Sequence, residues 1–341
     1  MRRPHTSRRL GVLASSLFCL TLLSVVSLLF LRQNHAAGIA EAQQVEEVFE
    51  QRGGQGHYVV CTLRFESDFI IEWINYHLWI GFTRVIIYDQ DDTGTGEMEA
   101  LLSHYISETV VKLIEWPAGD VVGAFRHGMR TFGKQATSLT FLDGDEYIVL
   151  CKHASVHDAY AAAGLFKSPL ACLEMPWMLF GPFGSRGADV HSSSVSERLT
   201  TRSRKPFAGY PGKTVLRGGR DFSRTRLYGH GVRPIIHHCS GRREFDPITV
   251  EAYDIRVNHY QFRHGEDSIR IKQERGIWPP VRAAEYAGLN LRKLPWMQDS
   301  IRDDGLYKLN RELPTLSQPL YSQTNSPRIS PTDCQNTKES S

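Results

Sequence analysis

From His57 to Leu142 the chain alternates between two hydrophobic periods, and this constrains its fold more than any other feature. His57 to Arg64 (HYVVCTLR), Thr83 to Tyr88 (TRVIIY), Thr109 to Trp116 (TVVKLIEW) and Ser138 to Leu142 are short, apolar and rich in β-branched residues, which predicts strands. Between them, Asp68 to Ile80 sets Phe69, Ile70, Trp73, Ile74, His77 and Ile80 near helical spacing. Glu97 to Ser107 and Gly119 to Lys134 read as two further helices. Ser67 or Asp68 is placed to cap the first helix and Gly81 to end it. Strand and helix in alternation with short joins predict an α/β fold, a mostly parallel sheet flanked by helices on both faces.

Such sheets bind ligands beyond the carboxyl ends of their strands. Arg64 and Glu66, Asp89 and Asp91, and Asp143 and Asp145 all fall at such ends. The last pair is the most informative. The apolar run Leu139 to Leu142 climbs into Asp143-Gly144-Asp145-Glu146, and a second apolar run, Tyr147 to Leu150, follows at once. Ionised carboxylates wedged between apolar runs are costly unless a cation or hydrogen bonds compensate them. Taken alone, Asp-Gly is also a common turn pair. The functional alternative is an Asp-x-Asp site for a divalent metal and a diphosphate. No GxGxxG follows the first strand and no GxxxxGK[ST] occurs, which disfavours dinucleotide and P-loop folds.

Ahead of this body, Leu10 to Leu31 carries no charged residue, and a helix needs about 20 such residues to span a hydrocarbon core. Arg2, Arg3, Arg8 and Arg9 precede it and only Arg32 follows closely. Positive-inside bias therefore predicts a single-pass type II signal anchor with the body on the luminal side. A cleaved signal peptide is the rival, but its apolar region would be shorter. Residues 1–9 form the cytosolic tail, 10–31 the transmembrane helix, 32–56 a stalk, 57–300 the folded domain, and 301–341 a Pro-, Ser-, Thr-, Asn- and Gln-rich disordered tail. The formal net charge is +3, and without those four arginines it is −1. No basic field argues for nucleic acid. Six cysteines without CxxC spacing argue against structural zinc and leave room for one or two disulfides.

After Leu150 the alternation weakens. Pro169 to Phe183 is apolar and aromatic but broken by Pro and Gly, which suits strands and loops. Arg202, Arg204, Lys205, Lys213, Arg217, Arg220, Arg224 and Arg226 form a basic stretch, either a solvated face or contacts to phosphates. His230, His237 and His238 follow, then Asn258-His259-Tyr260-Gln261-Phe262-Arg263, and then a short helix near Ser268 to Arg275.

This order of motifs resembles glycosyltransferase family 92 and the neighbouring family-2-like glycosyltransferases. The likeness rests on Arg64-Phe65-Glu66, Glu72-Trp73…Tyr76-His77, Tyr88-Asp89, Phe141-Leu142-Asp143-Gly144-Asp145-Glu146-Tyr147, Trp177…Phe180-Gly181, Lys213-Thr214-Val215, and the closing Asn258-His259-Tyr260…Glu266-Asp267…Lys272…Arg275-Gly276. It runs from about Tyr58 to about Trp278, and the closing motif is its most specific part. Phe65 replaces the family's usual Asn, and Gly94 stands where a loop Asp is common.

The resemblance implies a GT-A fold and an inverting transfer of a hexose, galactose by family expectation, from a nucleotide sugar to a glycan acceptor. UDP-sugars are the expected donors, Mn²⁺ or Mg²⁺ the expected cofactor, and a Golgi or other secretory-pathway membrane the expected location. By the GT-A pattern Asp145 is the direct metal ligand, and Asp143 contacts ribose and metal-bound water. His259 is the expected third ligand, with His230 as the alternate. Asp89 and Glu66 would face the nucleoside, and Arg64 the base or phosphate edge. Lys213, Arg263, Lys272 and Arg275 would hold the diphosphate. Glu266 or Asp267 would deprotonate the acceptor hydroxyl, although acids at a helix start also serve as caps. Trp177 and Phe180 would offer a sugar an aromatic face or simply fill the core. Glu146 would support the loop by hydrogen bonding. Phe65 and Gly94 motivate the alternative, an inactive GT-A scaffold that binds glycan or a protein partner. A metal-dependent hydrolase would need a histidine–carboxylate spacing that the chain lacks.

Overall fold

The computed structural model describes residues 56–64, 67–91, 96–116, 120–181, 194–206, 212–225, 239, 244–263, 268–274 and 300–303. The chain divides into Met1–Arg52 and Gly53–Ser341, and all described residues belong to the second unit. The expected tail 1–9, the anchor Leu10 to Leu31 and all of the stalk but Gly56 lie outside them. Among the described residues no helix is long and apolar enough to cross a membrane.

The alternating half folds as its periods predict. Strand β1 (His57–Leu63), helix α1 (Ser67–Trp79), β2 (Arg84–Asp89), α2 (Glu97–Ser107), β3 (Val111–Glu115), α3 (Val121–Phe132) and β4 (Ser138–Asp143) follow in order. β4, β1, β2 and β3 lie side by side, all parallel. β1 splits its side chains between two faces, as a period of two requires. Val59, Cys61 and Leu63 join Phe69, Ile70, Trp73 and Ile74 of α1 and Met98 and Leu102 of α2 in one buried cluster. Val60 points the other way, where a Cβ on Gly128 of α3 would stand 2.9 Å from its Cγ1. Phe125 of α3 meets Phe141 of β4 on that same face, with ring centroids 5.4 Å apart. Helices therefore cover both sides of the sheet.

Local chemistry sets the helix ends. Gly81, at φ 108, ends α1: its N–H donates to Leu78 O and that of Phe82 to His77 O, the paired bonds of a left-handed glycine cap. β3 begins two residues later than its β-branched run suggests, because Thr109 takes φ 60 and turns the chain out of α2. α3 starts at Val121 because the Asp120 side chain caps it by accepting from Gly123 N–H.

The second half departs from simple alternation. β5 (Glu146–Leu150), α4 (Val156–Ala163), a 3₁₀ turn, β6 (Ala171–Met175), β7 (Trp177–Leu179), α5 (Val195–Arg198), β8 (Thr201–Ser203), β9 (Lys213–Arg217), β10 (Asp246–Thr249), β11 (Ile255–His259), α6 (Ser268–Glu274) and β12 (Ser300–Arg302) complete the described elements. β9 inserts between β4 and β6 and runs antiparallel to both, with β10 at the edge. The seven-stranded sheet is thus mixed, although four of its six neighbouring pairs are parallel. A separate sheet, β5-β11-β7, carries the acidic turn's far side. Cys172 of β6 is disulfide-bonded to Cys239.

The packed body extends past the boundary expected at residue 300. β12 pairs antiparallel with β8, and Asp303, with 1 % of its side chain exposed, is ion-paired to Arg202 and Arg256. Two buried guanidinium groups thus share one carboxylate. Arg256 continues the network to Asn258 at 3.0 Å, and Asn258 to the Tyr260 hydroxyl at 3.3 Å.

Candidate active site

Asp143 ends β4, Gly144 and Asp145 form the turn, and Glu146 opens β5. This turn sits level with the carboxyl end of β1, where Thr62 pairs with Asp143 on one side and Tyr88 on the other. The three acids have three fates. Asp143 keeps 39 % of its side chain exposed, Asp145 keeps 7 % and Glu146 none.

Glu146 holds the loop. Its Oε2 accepts from the Asp143 N–H at 2.8 Å and from the Lys213 ammonium at 3.1 Å. Burial pushes its carboxyl well above the ordinary range; Lys213 opposes this, while Asp143 and Asp145 add to it. Its main chain is fixed from behind by α1: Trp73 Nε1 donates to Glu146 O at 2.7 Å, and the Tyr76 hydroxyl to Ile148 O at 2.6 Å. The Glu72-Trp73…Tyr76-His77 motif therefore works as a brace. Glu72 extends it by accepting from Val195 N–H at 3.0 Å.

Lys213 is fully buried and donates to Asp143 Oδ2 at 2.7 Å. Burial alone would lower its pKa, but Asp143 and Glu146 outweigh that and raise it. Gly212, at φ 94, delivers it; a Cβ there would stand 1.8 Å from Met175 O. Lys213 thus orients Asp143 and lies within 5.7 Å of the Trp177 ring centroid.

Asp145 meets basic side chains from the distal half. Lys272 Nζ of α6 donates to its Oδ2 at 3.1 Å, and His259 Nε2 lies 3.4 Å from its Oδ1. Arg263 Nη1 donates to Gly144 O at 3.0 Å. Burial alone would raise the Asp145 pKa; Lys272, His259 and Arg263 reverse it and hold the carboxyl well below the usual range. Strand pairing explains the convergence. β11 runs antiparallel to β5 with His259 opposite Glu146, and Tyr260 N–H donates to Asp145 O at 2.8 Å. Trp177 packs on the His259 imidazole with centroids 4.9 Å apart.

The structure therefore brings together Asp143, Asp145, His259, Lys213, Arg263 and Lys272. Arg64 and Asp89 stand at the ends of β1 and β2; Arg64 is exposed, and Asp89 is half-buried and accepts from Asp91 N–H at 3.0 Å. Burial raises the Asp89 pKa, and Asp91 and Glu115 add to it against the pull of that hydrogen bond. Glu66, His230, Glu266, Asp267 and Arg275 lie outside the described residues, as do Phe65 and Gly94. Phe180 offers no open face, being buried against Tyr260 at 4.5 Å between centroids. Trp73, Tyr76 and Gly212 were silent in sequence as site residues, because their partners are main-chain atoms far along the chain.

A hard divalent ion takes oxygen and some nitrogen donors. Adjacent ligands on an octahedral ion with bonds near 2.1 Å stand about 3 Å apart. Asp145 and His259 approach that separation, and His259 Nδ1 is buried without a hydrogen-bond partner among the described residues. Asp143 does not join them, and no group of three His, Cys, Asp or Glu suited to a metal occurs among the described residues. The residues fit an ion held by two protein ligands, with phosphate oxygens and water completing the shell, as is usual for small hard cations.

Residues 57–203 match the family model of glycosyltransferase family 92. That match takes in the motifs from Arg64 to Gly181, while Lys213 and the closing motif lie beyond it. A glycosyltransferase family 92 protein of Ricinus communis is 23% identical over 263 residues, covering 74% of this chain and 41% of the relative. One of Arabidopsis thaliana is 22% identical over 267 residues, covering 77% and 43%. The chain thus spans about two fifths of the length of the curated relatives it matches. Among solved structures, the mannosyltransferase PcManGT from Pyrobaculum calidifontis, in complex with GDP-Man and Mn²⁺, is 12% identical at a TM-score of 0.37, covering 79% of this chain and 78% of that one.

Proposed function

We propose that this chain is a membrane-anchored GT-A glycosyltransferase that moves a hexose from a nucleotide sugar to a glycan hydroxyl with inversion. The observation that carries the reading is the buried Asp145 carboxylate in the turn after β4, met by Lys272 and His259, with Arg263 on the carbonyl of Gly144 and the partly exposed Asp143 two residues before it. A site of this kind suits a diphosphate better than a neutral ligand, since it gathers the Lys272 ammonium and the Arg263 guanidinium around one carboxylate-bearing turn. Asp145 and His259 would hold Mn²⁺ or Mg²⁺, which when bound screens charge on the leaving diphosphate. Lys272 and Arg263 would donate to phosphate oxygens, with Arg275 as a further candidate. Lys213 keeps Asp143 turned to the donor's ribose. Arg64, Glu66 and Asp89 would line the nucleoside end.

In the transfer the acceptor oxygen forms a bond to the anomeric carbon as the bond from that carbon to the diphosphate oxygen breaks. The acceptor proton goes to a carboxylate, Glu266 or Asp267, and the electron pair leaves with the nucleoside diphosphate. The Cys172–Cys239 disulfide supports an oxidising, secretory compartment, and the uncharged Leu10–Leu31 run supports anchoring in its membrane. The test is a donor panel: the full-length protein in detergent with Mn²⁺ and each of several UDP- and GDP-sugars. At least one donor should show transfer to a glycan or slow hydrolysis; loss of sugar from none of them contradicts the reading.

A further inference from the structure

We infer that Lys272 competes with the divalent ion for Asp145, so that the ion enters this site only together with the diphosphate of the donor. The inference rests on the donor-site reading above and concerns the order in which its charges assemble.

Three observations carry it. First, the Lys272 ammonium bonds Asp145 Oδ2 at 3.1 Å, with side-chain exposures of only 8% and 7%. An ion drawn to Asp145 therefore meets a carboxylate already paired inside the protein. Second, among the described residues the acids next to Asp145 in the turn are already paired with Lys213. Asp143, the partly exposed acid two residues before Asp145, is bonded to Lys213 at 2.7 Å, and the Arg263 guanidinium, which donates to Gly144 O at 3.0 Å, also acts on Asp145. An added double positive charge would stand beside Lys272 and Arg263 in a region poor in water, where repulsion between like charges is strong. Third, the protein offers two ligands of the right type in contact, Asp145 and His259, and no third among the described residues. A hard ion so held needs phosphate oxygens to complete its shell.

A nucleoside diphosphate removes all three obstacles. It brings at least two negative charges, supplies oxygen ligands and gives Lys272 a new acceptor. A lysine suits this exchange, because its ammonium is a compact charge on a flexible four-carbon stem with three rotatable donors. Lys272 is thus a placeholder for the ion before the donor binds and a phosphate ligand afterwards.

The test reads Mn²⁺ binding to the full-length protein in detergent by electron paramagnetic resonance, with and without UDP, independently of turnover. In the wild type UDP should tighten Mn²⁺ binding by about tenfold or more. Lys272→Gln should bind Mn²⁺ without nucleotide about tenfold more tightly than the wild type, and UDP should then add less. Lys272→Arg, which keeps the charge, should retain the wild-type coupling. Wild-type Mn²⁺ affinity that UDP leaves unchanged, with UDP still bound, overturns the inference without any variant. Lys272→Gln with unchanged or weaker nucleotide-free Mn²⁺ binding also overturns it, while the donor-site reading survives. A wild-type protein that binds neither UDP nor GDP with Mn²⁺ present overturns the donor-site reading itself.

Discussion

The two halves of the site are built on opposite plans. The half from β1 to β4 delivers acids on neighbouring parallel strands, each carboxylate following its own apolar run. The half from β5 onward delivers the cations Lys213, Arg263 and Lys272 together with the His259 imidazole, and the partners of these cations lie 70 to 127 residues away in the chain. The first half is a scaffold set by local period. The second is held by charge and by strand pairing across the turn. Its parts should therefore fail in different ways, and mutations can separate them.

The largest expected effect crosses between the halves. Trp73→Ala removes a fully buried indole of α1 and the hydrogen bond that holds Glu146 O. Unfolding free energy should drop by about 3–5 kcal/mol in a urea titration. UDP binding should be lost as β5 loosens. A variant that keeps stability and binding would break the brace assigned to α1.

Next comes the charge side. Lys213→Met leaves Glu146 buried without its cation and Asp143 without its tether. Removing one partner of a buried pair costs roughly 3–5 kcal/mol, with Asp143 contributing less because it is partly exposed. The double variant Lys213→Met with Glu146→Gln should recover part of that loss. Additive losses in the double-mutant cycle would show that the two side chains do not act as a unit.

A third effect belongs to the scaffold and reads through pH. Burial lowers the pKa of His57 to about 4, helped by His157, and that of His77 to about 3. Both therefore bind fewer protons folded than unfolded. Their contribution is fully present above the unfolded value of about 6.5 and is lost as pH falls toward the folded values. Between pH 7 and 5 stability should fall by about 2–4 kcal/mol. Asp145, held low, contributes above the unfolded carboxylate range and loses that contribution only at more acid pH, so the two windows separate. A urea midpoint that is flat from pH 7 to 5 would contradict the burial of these histidines.

The smallest effect on stability is at the exposed strand end. Arg64→Ala should change the unfolding free energy by no more than about 0.5 kcal/mol while weakening UDP binding severalfold. Equal UDP affinity would remove Arg64 from the nucleoside end.

The same contrast governs what the chain discloses before it is folded. β1 to β4, the three helices between them and the Asp143–Glu146 turn are legible, because their signals are local: period, caps and acids trapped between apolar runs. The position of β9 is not, since nothing in Lys213–Arg217 says that it inserts antiparallel between β4 and β6. Lys213 was legible as a cation of the site but not as the tether of Asp143, a role that only the strand order creates. The Cys172–Cys239 pairing is also silent, because six cysteines permit many connectivities. Asp303 illustrates the same limit. It lies at the start of the stretch read as a tail, yet it is ion-paired to two buried arginines.

Asp145 is the point where the acidic and cationic halves meet. Calorimetric titration of UDP into the full-length protein, with and without Mn²⁺, tests it most directly when the wild type is compared with Asp145→Asn. The wild type should bind UDP with Mn²⁺ and far more weakly without it, and Asp145→Asn should show no Mn²⁺-dependent binding while remaining folded by circular dichroism. Undiminished Mn²⁺-dependent binding by Asp145→Asn would place the donor site elsewhere in the molecule.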